Sequence, residues 1–439
     1  MGMESGNGRG IFVKVFLMIL FAAALTLIAA GCGEEKADGG VCASCHESIT
    51  PGIVGQWKDS AHSKSNVACI DCHRAREGDP DAFSHNGELI ATIVSPSDCS
   101  GCHQNEEQQF SASYHAKAAQ FIGSLDNFLG EAVEGTPAAN SGCKQCHGST
   151  IKVLEGGRLD PATWPNTGMG RVNPDGSKGS CTACHARHDF SKAQAREPDN
   201  CGKCHMGPDH PQKEIYEESK HGILFKANRD EMNLDSMPWI VGKDYSAAPT
   251  CATCHISATP NQPVNHDVGA RISWTLRPVI STKLPDWAAR RSSMKDVCNQ
   301  CHAGAYTDNF YNQFDDAVNL YNTKFAGPAK TIMDELTNEG LVSKTPFDDK
   351  IEWTYYELWH HEGRRARQGA SMMGPDYTQW HGFYEVAKHF YTKFLPEAEE
   401  LKPGLTARTL EDPYHKWAKG LSKEEMAKLL EFYQERYGQ

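Results

Sequence analysis

Eight copies of the pattern C-x-x-C-H punctuate a 439-residue chain and use 16 of its 17 cysteines. They are Cys42, Cys45 and His46; Cys69, Cys72 and His73; Cys99, Cys102 and His103; Cys143, Cys146 and His147; Cys181, Cys184 and His185; Cys201, Cys204 and His205; Cys251, Cys254 and His255; and Cys298, Cys301 and His302. Two intervening residues put both sulfurs on one turn, where they can add across the two vinyl groups of a haem. The following histidine then reaches the iron. A lone C-x-x-C could be a redox dithiol or half a zinc site. At this composition only about 0.03 copies of the five-residue pattern arise by chance. Eight copies therefore predict eight covalently held haems c, a modification made outside the cytoplasm.

A haem that only carries electrons takes two axial protein ligands, whereas one that does chemistry leaves an iron face open. Beyond the eight motif histidines, twelve of the 20 histidines remain. That is enough to close every haem, so the count alone decides nothing. Local context favours His62, seven residues before Cys69, then His115, His221 and His266 in comparable segments between motifs. His188, close behind its own motif in Cys184-His-Ala-Arg-His188, joins them. His85 and one of His360 or His361, with His361 preferred, complete the expected distal set. The other reading of each is a surface or propionate-contacting histidine. His415, in a polar C-terminal segment, is not expected to bind iron.

Such groups need elements to hold them. Only 39% of the residues are hydrophobic, few for an enzyme of this length with aliphatic cores, and haems would fill much of the interior. The motifs lie at irregular intervals, so the chain is not a simple repeat array. Asn173-Pro-Asp-Gly-Ser177 reads as a turn. These features predict a mainly α, multihaem cytochrome c fold with short helices and loops around the haems over 42–302 and very little sheet. Residues 303–439 lack a motif and carry helical periodicity instead, in Phe310, Phe314, Val318 and Tyr321, in Ile332 and Leu336, and in Leu358, Phe383, Val386 and Phe390. The run Trp353–His361, followed by Gly363-Arg-Arg-Ala-Arg367, is denser in ligands and propionate-binding groups than a scaffold requires. Ser422–Tyr437 reads as an amphipathic helix.

At the N-terminus, Arg9 and Lys14 precede an apolar stretch from Val15 to Ala30, as in an export signal. Ala29-Ala30-Gly31-Cys32 is similar to a bacterial lipobox, with Ala29 where Leu is usual. The expectation is a signal over 1–31, a lipid on Cys32, a tether over 32–41 and a place on the periplasmic side of a bacterial membrane. An uncleaved anchor helix or ordinary cleavage is the other reading. The chain has 44 basic and 56 acidic residues. Removing Arg9, Lys14 and Glu4 with the leader would leave 42 and 55, before any propionate charge. That balance argues against nucleic acid and is compatible with a small substrate and soluble redox partners.

Eight such motifs followed by a helical C-terminal region resemble the octahaem hydroxylamine oxidoreductase family, which includes hydroxylamine and hydrazine dehydrogenases. The likeness is strongest at Cys201-Gly-Lys-Cys-His-Met-Gly-Pro-Asp-His-Pro-Gln212, at Pro249-Thr-Cys-Ala-Thr-Cys-His255, at His266-Asp-Val-Gly and at Met372-Met-Gly-Pro-Asp-Tyr-Thr-Gln-Trp-His-Gly382. It implies that the haem of Cys143, Cys146 and His147 is catalytic. The related nitrite reductases usually carry Lys at that proximal position, where this chain has His. The resemblance places an Asp-His pair on the open face, matched by Asp209-His210, and a tyrosine, matched by Tyr245. Without it, Asp209 and His210 could be a turn carrying an axial ligand, and Tyr245 could simply pack.

In oxidative members a C-terminal tyrosine of a neighbouring subunit is bonded to the catalytic haem, which implies a homotrimer. Tyr377 is the match here and Tyr384 the second choice. The resulting expectation is oxidation of hydroxylamine or hydrazine, with electrons leaving through seven bis-His haems to a periplasmic cytochrome or quinone-linked acceptor. Two rivals remain. One is a reductive enzyme converting nitrite or hydroxylamine to ammonia. The other is an electron-transfer cytochrome with every haem closed.

Overall fold

A computed structural model describes residues 39–123 and 125–438. The leader, Cys32 and most of the tether lie outside the described residues.

Two compact units account for these residues. In the smaller, residues up to Asp71 are joined by Arg187–Asp189. Its helices Gly40–Ile49 and Pro51–Asp59 pack through Ala43, Val54 and Trp57, and the Trp57 indole N–H donates to the Val67 carbonyl at 3.0 Å. The first haem motif lies on the first of these helices. The backbone N–H of His188 donates to Gln56 at 3.2 Å, which brings this histidine into the unit of the first motif.

The larger unit, Cys72–Ala186 with Phe190 onward, begins as short helices and loops. Single helical turns carry several motifs, as in Cys143–His147 and Cys251–His255, while Cys298 ends the longer helix Trp287–Cys298. A one-turn helix is not stable by itself; bound haem and tight loop packing must supply what its length does not. Gly148 illustrates the packing. It closes the Cys143–His147 turn at φ 85°, and a Cβ there would lie 2.4 Å from the Arg171 amide. Sheet is confined to two short antiparallel pairs, Phe83–His85 with Glu88–Ile90 and Trp274–Thr275 with Thr282–Lys283. Within 173–177 the Gly176 amide closes the expected turn on the Asn173 carbonyl at 2.9 Å.

Helix then dominates, in three long stretches over 304–338, 350–371 and 375–401, interrupted only by wider π turns. Their shared core is Tyr321, Phe325, Leu336, Ile351, Leu358, Val386, Phe390 and Phe394, positions that the helical periodicity largely marks. One π turn, Glu357–Glu362, contains His360 and His361; such insertions re-aim side chains and recur at functional sites. Residue 303, the expected domain boundary, does not divide compact units. The helix Gly304–Leu320 instead packs on Trp274, Leu276 and Met294, and its Asp315 ion-pairs with Arg291 and Lys283. The tail is helical over Lys423–Tyr437, with Ser422 and Glu425 forming a capping box. His415 is buried with Tyr391 at 2.8 Å from its Nδ1, consistent with a structural residue.

Candidate functional site

The haem-holding residues can be tested by their geometry. A ligating histidine donates its far ring nitrogen to a fixed acceptor, which orients the other nitrogen toward the metal. His73 meets the Ala91 carbonyl at 2.9 Å through Nδ1, and His255 meets Val268 at 3.1 Å. His147 likewise donates to the Ala118 carbonyl. Two imidazoles on opposite sides of one metal, each bonded at about 2 Å, have ring centres roughly 6 Å apart. The rings of His115 and His205 are 6.0 Å apart, as are those of His221 and His302. His266 lies within electrostatic reach of His103. The residues fit bis-His haems at the sixth and eighth motifs, and the third motif has His266 as its neighbour.

Thiols of different motifs are also neighbours. Cys99 contacts Cys181, Cys146 contacts Cys204, and Cys201 contacts Cys251. Cys184 faces Cys201, and Cys254 faces Cys298. The attachment points from the third motif to the eighth therefore form one connected group, as electron transfer between haems requires.

The attachment residues of the bare polypeptide are not equally enclosed. Cys45, Cys102 and Cys301 are exposed, whereas Cys42, Cys69 and Cys72 are half-buried. His85 and His103 are exposed as well, His85 in the hairpin with its ring 6.3 Å from Phe83. The reason at Cys45 is helical geometry. Ala43 is the residue of its helix that packs on Val54 and Trp57, and Cys45, two positions on, is turned about 200° away round the helix. Cys102 and His103 fall between the helices Pro96–Ser100 and Gln104–Ala112, at a junction that presents both side chains outward.

His46 and His185 are half-buried, and their surroundings differ from those of His205 and His302. His46 meets Thr50 Oγ1 through Nδ1 at 3.0 Å, so the end of its own helix orients it and no distant carbonyl does. His185 follows the single turn Cys181–Ala183, and its amide donates to the Cys181 carbonyl at 3.0 Å. Ring spacing pairs His302 with His221 and His205 with His115; His210 is also 6.3 Å from His205, but both its ring nitrogens are taken. For His46 and His185 the distal partner rests on sequence context alone.

Around His147 the structure gathers a different set of groups. His210, Asp126 and Asp209 are its charged neighbours. Asp209 accepts a very short hydrogen bond from Nδ1 of His210, and His210 Nε2–H donates to the Cys204 carbonyl at 2.9 Å. A carboxylate and a carbonyl are both acceptors, so the ring makes both bonds as an imidazolium. Burial opposes that charge, but the hydrogen bond and charge of Asp209 outweigh it and raise the His210 pKa. Arg364 Nη1 donates to the other Asp209 oxygen at 3.0 Å. Burial would push the Asp209 carboxyl up; His210, His360 and Arg364 hold it down.

Beside this pair lies a second one. His360 Nε2 is 3.0 Å from Asp126 Oδ1, Tyr356 donates a very short hydrogen bond to the same carboxylate, and the Tyr356 and His360 rings stack at 4.2 Å. His361 packs edge-on to Tyr356 at 5.5 Å. Burial, then the charge of His360, lowers its pKa to about 4. Its charged neighbours include His360, Asp209, Arg365 and Arg364, so His361, expected as an axial ligand, lies beside the two carboxylate-histidine pairs.

The structure brings together Asp209, His210 and His147, which the resemblance assigns to one site. It does not bring Tyr245 there. That side chain stacks on Trp239 at 4.1 Å and donates to Thr253 Oγ1 at 2.8 Å within a separate core cluster. Tyr356 is the tyrosine at the cluster instead. Tyr377 is half-buried, its ring 5.3 Å from His381, beside exposed Trp380 and Tyr384. Asp126 was not singled out by sequence; Tyr356 and Arg364 lie in the Trp353–Arg367 run that was, without a role assigned to either. Tyr356 and His360 have the i, i+4 spacing of one helical face, a usable signal, whereas Asp126 sits in an unremarkable Leu125–Phe128 segment.

Comparison with known proteins agrees with this architecture. A family model described as "Seven times multi-haem cytochrome CxxCH" matches residues 169–346, and one for cytochrome c7 and related cytochrome c matches 131–206. A probable nitrite reductase-hydroxylamine oxidoreductase fusion protein of Kuenenia stuttgartiensis is 25% identical over 358 residues, covering 70% of this chain. The chain spans 38% of that relative's length. Among solved structures, a hypothetical multiheme protein is 26% identical with a TM-score of 0.74, covering 86% of this chain and 97% of its own. A reducing HAO-like protein complex of Kuenenia stuttgartiensis shares the fold with a TM-score of 0.62 at 20% identity, covering 83% of this chain and 85% of its own. With eight C-x-x-C-H segments, paired histidine rings and these likenesses, the chain has the fold and the haem-attachment motifs of a multihaem cytochrome c.

Proposed function

We propose that this cytochrome is an octahaem oxidoreductase of small nitrogen compounds. Its reactive haem is held by Cys143, Cys146 and His147, and seven bis-His haems carry electrons to or from it. One observation carries the reading. His210, a non-motif histidine whose charge acts on His147, has both ring nitrogens committed, Nδ1 to Asp209 and Nε2 to the Cys204 carbonyl. His210 is therefore placed as an acid-base group and not as a sixth iron ligand. A haem at this motif would supply an iron that binds nitrogen and exchanges single electrons.

The first reading is oxidation of hydroxylamine or hydrazine. Removing two electrons from hydroxylamine releases two protons. Asp209 and Asp126, each hydrogen-bonded to a histidine, are the carboxylates that accept these protons, and the His210 imidazolium orients Asp209. Arg364 fixes Asp209 and so fixes the ring. The second reading is reduction of nitrite or hydroxylamine to ammonia. It has its own support in the doubly donating His210, which enters the reaction as a proton donor, and in relatives whose names include nitrite reductase and reducing HAO-like complex.

In this proposal the mature protein is lipid-anchored through Cys32 on the periplasmic side, exchanges electrons with a periplasmic cytochrome or quinone-linked protein, and forms a homotrimer. Intact-mass measurement should give eight haem additions and a lipid on Cys32; seven or fewer haems in well-matured protein would overturn the count. A high-spin ferric signal that shifts with hydroxylamine or cyanide should be present, and its absence would leave only an electron carrier. Turnover of the purified protein with hydroxylamine, hydrazine and nitrite decides the direction.

A further inference from the structure

Far from the haem motifs, the chain ends in a helix whose apolar side chains are exposed. The segment before it is seated on the helical core: His415 is buried there, and the Trp417 ring meets Tyr391 edge-to-face at 4.8 Å. Gly420, at φ 93°, then turns the chain away, and every residue from Leu421 to Arg436 is exposed. The helix Lys423–Tyr437 has 15 residues and starts at its Ser422–Glu425 capping box. That length is close to the limit below which a helix does not hold together alone in water.

At 100° per residue, Met426, Leu429, Leu430 and Tyr433 fall within about a third of the helix circumference. They are 40–56% exposed, and Phe432, on the rim of the stripe, is 49% exposed. Large apolar side chains at that exposure together present roughly 500 Å². A stable interface buries about 800 Å² on each partner, a little over half of it apolar, so the stripe with its polar rim is the size of one. The opposite face carries Glu424, Glu431 and Glu435 with Lys428. A helix that lies on a membrane carries Lys and Arg there, so the charge speaks against a lipid surface.

The rim points to a second copy of the same helix. Glu425 near the start and Arg436 near the end lie on the same side of the stripe, about 20° apart in projection and roughly 16 Å apart along the axis. Within one helix they are too far apart to pair. An antiparallel second copy brings each Glu425 against the partner's Arg436, twice over by two-fold symmetry, and lays the two apolar stripes on each other. In that register Lys423, on the other flank, falls opposite the glycine end of the partner helix, so no like charges meet.

We propose that the helix Lys423–Tyr437 is a dimerisation arm that pairs antiparallel with the same helix of a second copy of this chain. Met426, Leu429, Leu430 and Tyr433 form its buried seam. Two-fold pairing doubles whatever assembly the rest of the chain forms, so it depends neither on the reaction assigned to the His147 cluster nor on the proposed homotrimer.

The test is the molar mass of mature holo-cytochrome by size-exclusion chromatography with light scattering, the detergent contribution subtracted. Leu429→Glu combined with Leu430→Glu should halve the mass and leave the haem spectrum unchanged. Truncation after Gly420 should do the same, and it decides the matter if the double variant fails to accumulate. Arg436→Glu should weaken association by about tenfold, from two lost surface ion pairs and the repulsion that replaces them. Adding Glu425→Arg to it should restore association. Equal masses for wild-type and truncated protein would overturn the pairing, as would association that Arg436→Glu leaves unchanged. Equal masses together with weaker binding of the truncated protein to anionic phospholipid vesicles would assign the face to a lipid surface and overturn it as well.

Discussion

Asp209 holds Nδ1 of His210 while the Cys204 carbonyl holds Nε2 of the same ring at 2.9 Å. The sixth haem motif thereby fixes an acid-base residue beside the fourth, since Cys204 belongs to one and His147 to the other. A histidine bonded to the sixth motif is thus a charged neighbour of the histidine of the fourth.

Substituting either member of this pair separates catalysis from cofactor binding. Asp209→Ala and His210→Ala should keep eight haems by mass and lose turnover by about a hundredfold to ten-thousandfold, the usual range for a lost general acid-base group. Steady-state rates together with electron paramagnetic resonance check this. A low-spin haem turned high-spin in His210→Ala would instead make the residue an axial ligand.

The second pair should matter less but in the same direction. Tyr356→Phe removes the hydroxyl that donates to Asp126 and leaves the stack on His360. We expect a loss of about tenfold in kcat, smaller than for the Asp209 pair because the His360 contact with Asp126 survives. Rates and haem content of Tyr356→Phe and Asp126→Asn, measured side by side, check it. Unchanged kcat in both would remove this pair from the mechanism.

Paired imidazole rings give a spectroscopic prediction. His115→Ala and His221→Ala each take away one ring of a 6.0 Å pair. Each should convert one low-spin haem to high-spin without loss of covalent haem, because the thioether bonds do not depend on the distal ligand. Electron paramagnetic resonance counts the converted haem. A fully low-spin spectrum would show that another histidine closes that iron.

Tyr377 bears on assembly and direction. Its electrostatic neighbours include Glu214, Glu218, Arg365 and Asp376. In the family this chain resembles, the corresponding tyrosine acts on the haem of another subunit. A cross-link would keep chains joined in reducing, denaturing electrophoresis, and Tyr377→Phe would release monomers. Monomers from wild-type protein would discard the cross-link and favour the reductive reading.

Asp315 gives a stability prediction with a defined sign. It receives both Arg291 Nη groups at 2.6 and 2.8 Å, the Trp274 indole N–H at 2.8 Å and Lys283 at 2.9 Å. Burial alone would raise its pKa; Arg291, Lys283 and Trp274 hold it down at about 2. A carboxyl depressed in the folded state adds stability above its unfolded pKa of roughly 4 and loses it as pH falls toward the folded value. Asp315→Asn should cost on the order of 2 kcal/mol at pH 7, as for hydrogen bonds to a charged group. The gap from wild type should narrow between pH 4 and pH 2. Thermal midpoints across that range check it, and a gap that stays constant would rule the charge out as the cause.

Haem attachment was legible in the sequence because it is local chemistry. Two thiols and an imidazole within five residues need no distant partner to be recognised. The helical C-terminal region was legible for a similar reason, since Phe314, Val318 and Tyr321 repeat at the period of the helix that buries them. Asp209 and His210 are adjacent, so their pairing was also within reach of a local reading. What only the tertiary structure decided is which groups meet across the chain and which are left outside. Asp126 and Tyr356 are 230 residues apart and share a hydrogen bond, and no periodicity encodes that meeting. Tyr245 stands six residues before Cys251, a position that suggested the site, yet its ring is turned into an apolar cluster with Trp239. Side-chain direction at a loop residue is set by the packing around it, and that packing comes from segments distant in sequence.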